Sequence, residues 1–192
     1  MNGLEVATGN DGPVDKAVSI NAPIVIPVPD RITVYASLLG NKRVYAGRKN
    51  VLNMVLGAYN SYSEARFLES LVLLKGGSSR VEEIGVIKAW SDADKNGLFD
   101  PDSDELLASA IPDGVLVGFD DLGLSLAPYM SSLLFITYDL PESGVRDSVS
   151  IDLSIPEYKY IKFAEVNVRI EGQFPLDSAG SDWTDGMTAA QI

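Results

Sequence analysis

Neither cysteine nor histidine occurs among the 192 residues of the sequence. Without cysteine the chain has no disulfide bond, thiolate nucleophile or iron–sulfur ligand. Without histidine it has no Ser-His-Asp or Cys-His catalysis and no usual zinc or copper site. Two carboxyl groups suffice for glycoside hydrolysis, but the adjacent pairs Glu82–Glu83 and Asp120–Asp121 would point to opposite faces of a strand. We therefore predict that the protein is not an enzyme.

Positive charge is scarce, with 15 Lys plus Arg against 27 Asp plus Glu, a formal net charge of −12 and an isoelectric point near 4.3. Nucleic acids and anionic lipid surfaces attract Lys and Arg, so neither is a predicted partner. No apolar run approaches the roughly 18 residues of a membrane-spanning helix, and we predict no membrane insertion in this segment. Residues 1–10 also lack the basic and apolar regions of a signal peptide, which by itself assigns no compartment.

Hydrophobic residues make up 46% of the chain, enough for a sizeable core. They alternate with polar residues at period two, and no segment keeps the 3.6-residue period of a core helix. Strands are predicted over residues 32–39, 52–58, 67–74, 84–90, 106–111, 115–119, 133–138, 149–155, 161–163 and 166–170. About eight to ten short strands at this spacing are typical of an antiparallel β-sandwich of Ig-like or Greek-key type, so we predict an all-β fold.

The predicted domain organisation has three parts. Residues 1–30 form an N-terminal extended or edge segment, because Pro27 and Pro29 cannot donate hydrogen bonds to a β-ladder. Residues 31–172 form the β-sandwich domain. Residues 173–192, rich in Ser, Gly, Asp and Thr, form a linker or a peripheral strand.

One segment has the composition and spacing of a calcium loop. Residues 91–105 read S-D-A-D-K-N-G-L-F-D-P-D-S-D-E and directly follow the strand that ends at Trp90. A calcium ion takes six to eight oxygen ligands, and alternate residues of a curling loop with glycine at position 6, here Gly97, point inward together. The predicted ligands are Asp92, Asp94, Asn96, Leu98 through its carbonyl, Asp100 and Asp104. Magnesium, with its stricter octahedral geometry, is the less suitable ion.

The closing ligand of this loop departs from the EF-hand pattern. Ser103 stands at position 12, where an EF-hand places a bidentate glutamate. We favour Asp104 at position 13, with Asp102 and Ser103 left open. Six acidic residues and one lysine lie between Asp92 and Glu105, and these charges repel one another unless they are solvated or neutralised. The competing interpretation is a solvated acidic turn without an ion.

Residues 51–155 resemble the Ig-like β-sandwich modules of large prokaryotic cell-surface and secreted proteins. The resemblance rests on the strand ending in Trp90, the D-x-D-x-N-G-x-F-D string, the following Leu-Leu-Ala-Ser and the strand at 133–139. The loop is similar to the EF-hand-type calcium loops of dockerins. The resemblance implies an extracellular or cell-surface location and a structural or adhesive role, with a protein partner or self-association into a filament or pilus.

A carbohydrate-binding, lectin-like module is the alternative function. Trp90, Trp183 and the eight tyrosines could supply a stacking platform for a polysaccharide, and calcium can rigidify the loops of such a site. Trp90 ends an apolar run, however, so we expect it in the core.

Overall fold

The computed structural model of the chain describes residues 29–37, 39 and 43–178. Within that part, nearly all regular structure is β, and the predicted all-β sandwich is confirmed. The eleven strands are β1 (Ile32–Ala36), β2 (Val51–Asn60), β3 (Arg66–Gly76), β4 (Ile87–Ser91), β5 (Glu105–Ala110), β6 (Leu116–Phe119), β7 (Leu124–Leu126), β8 (Ser131–Tyr138), β9 (Asp152–Ser154), β10 (Ile161–Phe163) and β11 (Ile170–Glu171). Two three-residue 3₁₀ turns, Val81–Glu83 and Tyr158–Tyr160, are the only helical pieces in these described residues.

The first sheet contains six strands in the order β11-β1-β2-β8-β4-β5. Its pairs are antiparallel except for the short parallel contact between β1 and β11. The second sheet is built on β3, which pairs with β9 and β10 along one edge and with β6 and β7 along the other. β3 is therefore the common partner of all the other strands in its sheet.

The main core lies between the two sheets, and a smaller cluster covers the opposite face of the first sheet. Met54 and Leu56 of β2 belong to the main core, whereas Val55 between them belongs to the smaller cluster. The smaller cluster consists of buried Val55, Trp90 and Phe135, with Leu39, Leu52, Phe99 and Leu133 packed against it. Both faces of the central strands are thus covered, which explains their dense apolar sequences.

The predicted strand at 166–170 is largely absent from the structure, and one observed strand, β7, was not predicted. Residues 166–170 alternate like a strand, but Val166 is 85% exposed and Asn167 adopts a positive φ of 61°, so the segment turns and only Ile170–Glu171 pairs. Val168 and Ile170 pack only partly against the main core, and the alternation here does not produce a regular strand. β7 was not among the predicted strands, because three residues carry too little periodicity to detect.

Of the predicted flanking segments 1–30 and 173–192, the structure describes residues 29–30 and 173–178. Residues 1–28 and 179–192 lie outside the described residues, including the proline-containing stretch 24–28. Leu176, from the predicted linker, is fully buried and forms an isolated antiparallel bridge with Ile155. In the part of the chain that the structure describes, no helix has the length and apolar character needed to cross a membrane.

An ion pair between the buried Glu83 and the exposed Arg146 links the first 3₁₀ turn to the loop that follows β8. The carboxylate of Glu83, which is 1% exposed, accepts hydrogen bonds from Arg146 Nε at 2.7 Å and Nη2 at 2.8 Å, and from the backbone N–H of Arg80 at 2.7 Å. The Arg146 side chain, followed by the Arg80 N–H, lowers the pKa of Glu83 far below its ordinary value of 4.5.

Replacing this glutamate by Glu83→Gln should reduce the dependence of stability on pH. A carboxyl whose pKa is lower in the folded than in the unfolded state stabilises the fold above the unfolded pKa, and this contribution is lost as the pH falls below about 4.5. The thermal unfolding midpoint of the wild type should therefore drop more steeply on acidification than that of Glu83→Gln. Glu157→Gln, which removes half of an exposed ion pair with Lys159, is the control and should follow the wild-type curve. Parallel curves for the wild type and Glu83→Gln would contradict the assignment.

Candidate metal centre

The predicted calcium loop, residues 92–104, connects two adjacent strands of the first sheet. β4 ends at Ser91 and β5 begins at Glu105, and the two strands pair antiparallel up to these residues. The backbone N–H of Asp92 donates a hydrogen bond to the carbonyl of Leu133 in β8, at 3.3 Å. The loop is therefore an extended hairpin connection whose start is attached to the next strand.

The first half of the loop curls around the side chains of Asp92 and Asp94. The Asp92 carboxylate accepts hydrogen bonds from the backbone N–H groups of Asn96 and Gly97, both at 3.1 Å, and Asp94 Oδ1 accepts from Asn96 N–H at 3.1 Å. Lys95 and Gly97 have positive φ angles of 58° and 75°. Gly97 thus occupies the sharp turn predicted for position 6, where glycine is unstrained.

Asp104 joins the two arms of the loop. Its side chain is buried, with Oδ1 accepting a hydrogen bond from Ala93 N–H at 3.3 Å and Oδ2 accepting one from Asp100 N–H at 2.8 Å. Asp102 and Ser103 are both exposed. Of the three residues left open by the sequence for the closing ligand, Asp104 is the one whose carboxylate lies inside the loop.

Carboxylate oxygens of Asp92, Asp94 and Asp104 lie within 4.8 Å of one another. Two oxygens bound to one calcium ion at about 2.3–2.6 Å cannot be more than about 5 Å apart, so this spacing is compatible with a shared ion. Without a cation, carboxylates this close together repel one another. The donor set consists of oxygen alone, which suits a hard divalent cation.

The other predicted ligands have hydrogen-bond partners within the loop. Asn96 donates through Nδ2 to Asp94 Oδ2 at 2.7 Å and accepts through Oδ1 from Leu98 N–H at 2.6 Å. The Asp100 carbonyl accepts hydrogen bonds from Ser103 and Asp104, and its carboxylate is not in the group formed by the other three. Coordination by Asn96, the Leu98 carbonyl and Asp100 remains a prediction.

Phe99 packs the loop against the first sheet, a role that was not predicted from the sequence. Its ring contacts Trp90 edge-on at a centroid distance of 5.4 Å and Phe135 at 5.6 Å. Trp90 is 7% exposed and donates through Nε1 to Thr137 Oγ1 at 2.9 Å, which confirms the prediction that it belongs to the core. The sequence signal for this packing role was one aromatic residue in a loop made mostly of polar residues.

The fold and the loop together define an all-β, two-sheet protein with an acidic hairpin loop. A scan against protein-family models finds no match to the chain, and a search of the curated proteins finds none either.

Proposed function

We propose that the chain is a non-enzymatic, calcium-binding β-sandwich module with a structural or adhesive role at the cell surface or in a secreted protein. The convergence of Asp92, Asp94 and Asp104 in the hairpin between β4 and β5 is the observation that carries this proposal. The ion would bind through oxygens from both arms of the loop and offset their mutual repulsion. It would serve as a cross-link in a chain that has no disulfide bond.

The position of the loop explains why a bound ion would be structural. β5 is an edge strand of the first sheet among the described residues, and its one strand partner there is β4. An ion bound across this connection would oppose fraying of the edge strand, because its ligands come together only when the hairpin is formed. The calcium concentration outside cells is in the millimolar range, close to the dissociation constants of the weaker extracellular calcium sites. Even modest affinity would therefore keep such a loop occupied.

Assembly with a protein partner or with further copies of the chain, as in a surface filament or pilus, forms the second part of the proposal. It rests on the resemblance to Ig-like surface modules and on exposed apolar side chains near the turn between β5 and β6. Ile111 is 77% exposed, Val115 61% and Leu116 45%. Exposed apolar side chains grouped in this way are typical of surfaces that contact another protein.

Calcium titration by calorimetry tests the metal site. The wild type should bind one calcium ion, and Asp104→Asn should weaken binding at least about tenfold, because it removes a charged oxygen ligand. Asp102→Asn is the matched control: it removes the same charge from the same loop but lies on its exposed side, so binding should stay near the wild-type value. An absence of binding, or equal loss in both variants, would contradict the proposed site. Sedimentation velocity in calcium and in chelator then measures any self-association.

A further inference from the structure

A cavity of about 540 Å³ lies beside the metal loop. One wall is formed by the segment that leads into β2, residues 43–52, and the other by Leu98 and Phe99 of the loop. The first wall is anchored by backbone hydrogen bonds, with Gly47 N–H donating to Pro141 O and Leu140 N–H donating to Arg48 O, both at 2.8 Å. The volume falls in the range of about 300–1,000 Å³ typical of small-molecule sites.

Among the described residues, the charged side chains that line this cavity are all positive. They are Arg43, Arg48 and Lys49, and no described aspartate or glutamate lines it. Within the part of the chain that the structure describes, neither Arg43 nor Arg48 forms an ion pair. Lys49 is 3.9 Å from Asp139, whose carboxylate is already bound by Lys88 at 2.9 Å. In a chain with a net charge of −12, this local excess of positive side chains runs against the overall composition.

The remaining lining of the cavity is mostly apolar and includes one exposed aromatic ring. Val44, Val51 and Leu52 contribute from the first wall, and Tyr45 is 81% exposed. A flat exposed ring beside guanidinium groups is suited to a ligand that has both an apolar face and a carboxylate. Guanidinium groups bind carboxylates through paired hydrogen bonds, and aromatic rings pack against the apolar faces of other rings.

We infer that this cavity binds a carboxylated saccharide. The carboxylate of an acidic sugar would accept hydrogen bonds from Arg43 and Arg48, and the apolar face of the sugar ring would lie against Tyr45. An acidic peptide shares only the first of these two features, which is why the saccharide is favoured. The overall negative charge of the chain opposes the approach of an anion at long range, but salt screens that repulsion beyond about 8 Å at physiological ionic strength.

Calcium should strengthen this binding, a coupling that rests on the proposed function. Leu98 lines the cavity and its carbonyl is a predicted calcium ligand, while Phe99 lines the cavity and packs on Trp90. A bound ion would fix both residues and would neutralise the adjacent carboxylates that otherwise repel an anionic ligand. By thermodynamic reciprocity, the saccharide should raise calcium affinity by the same factor.

Calorimetric titration with digalacturonic acid tests the inference. Wild-type protein in excess calcium should bind it, and the double variant Arg43→Gln/Arg48→Gln should bind at least about tenfold more weakly. Lys162→Gln removes one positive charge from an exposed position on β10, in the other sheet, and should bind like the wild type. In chelator the wild-type affinity should fall at least about fivefold. The variants should unfold at the wild-type temperature, because neither arginine forms an ion pair among the described residues.

Three results would overturn the saccharide site: no binding in calcium, undiminished binding by the double variant, or equal binding of the neutral methyl ester of the same disaccharide. Preferential binding of a short polyglutamate peptide would also overturn it, in favour of an acidic protein segment. Equal affinity in calcium and chelator would overturn only the coupling. A titration of the protein with calcium alone tests the metal site by itself. Saccharide binding that depends on Arg43 and Arg48 is measured both in calcium and in chelator, so failure of the metal site can be distinguished from failure of the saccharide site.

Discussion

Calcium at a thousandfold excess over its dissociation constant will raise the free energy of unfolding by about 4 kcal/mol relative to the protein in chelator. For a domain of this size the change corresponds to an increase of about 10 °C in the thermal midpoint. The reason is linkage: the oxygens of Asp92, Asp94 and Asp104 are brought together only when the hairpin is formed, so the ion binds the folded state. Thermal unfolding followed by circular dichroism, with calcium and with chelator, measures the difference.

Two variants make this experiment specific to the loop. Asp92→Ala removes a predicted ligand at the start of the loop and should abolish the difference between the two solutions. Asp102→Asn should retain it, because Asp102 is exposed and its carboxylate is not in the group of three. Identical wild-type midpoints with calcium and with chelator would exclude a stabilising ion. A difference that persists in Asp92→Ala would place the ion elsewhere in the chain.

Phe135→Ala should lower the free energy of unfolding by about 3–5 kcal/mol. Phe135 is completely buried in β8, in the smaller cluster on the face of the first sheet opposite the main core, and its ring contacts Phe99 of the predicted calcium loop. Removing the ring leaves a cavity and also frees Phe99. Calcium affinity should therefore fall along with stability, although Phe135 supplies no ligand. Urea unfolding, together with a calcium titration of the same variant, measures both effects.

Phe67→Ala is the matched control for this substitution. Phe67 lies in β3 and is 44% exposed, so the same truncation removes much less buried area and should cost under about 2 kcal/mol with no change in calcium affinity. Equal costs at the two positions would show that the small cluster contributes little. An unchanged calcium affinity in Phe135→Ala would show that Phe99 does not hold the loop in its binding conformation.

The sequence predicted the strands best where dense apolar runs are covered on both faces, as at 52–58 and 133–138, which lie within β2 and β8. Ile151, Leu153 and Ile155 alternate and are all buried, but of the predicted residues 149–155 only Asp152–Ser154 form a strand, which pairs with β3. The alternation at 166–170 is equally clear, but Val168 and Ile170 are only partly buried and the chain turns at Asn167. Periodicity describes which residues could share a face, whereas the tertiary partner decides whether that face is buried.

The candidate metal site was predictable because its chemistry is local. Asp92, Asp94 and Asp104 belong to one loop whose two ends lie on adjacent paired strands, so their proximity could be inferred from their spacing in the sequence. The cavity beside it was not predictable, because three strands, β2, β3 and β4, separate Arg43 and Arg48 from Leu98 in the sequence. Only the packing of the segment before β2 against the loop brings these side chains to one place.

The dependence of the second sheet on β3 sets the order in which that sheet can form. β3 is complete at Gly76, whereas its four partners, β6, β7, β9 and β10, begin between Leu116 and Ile161. During synthesis the strand emerges before any of the strands that will cover its edges, and each later strand adds to a template that is already present. These pairings are long-range in sequence, which makes the sheet slow to close. Until residues near Ile161 have been made, one edge of an apolar strand stays open to pairing with another chain.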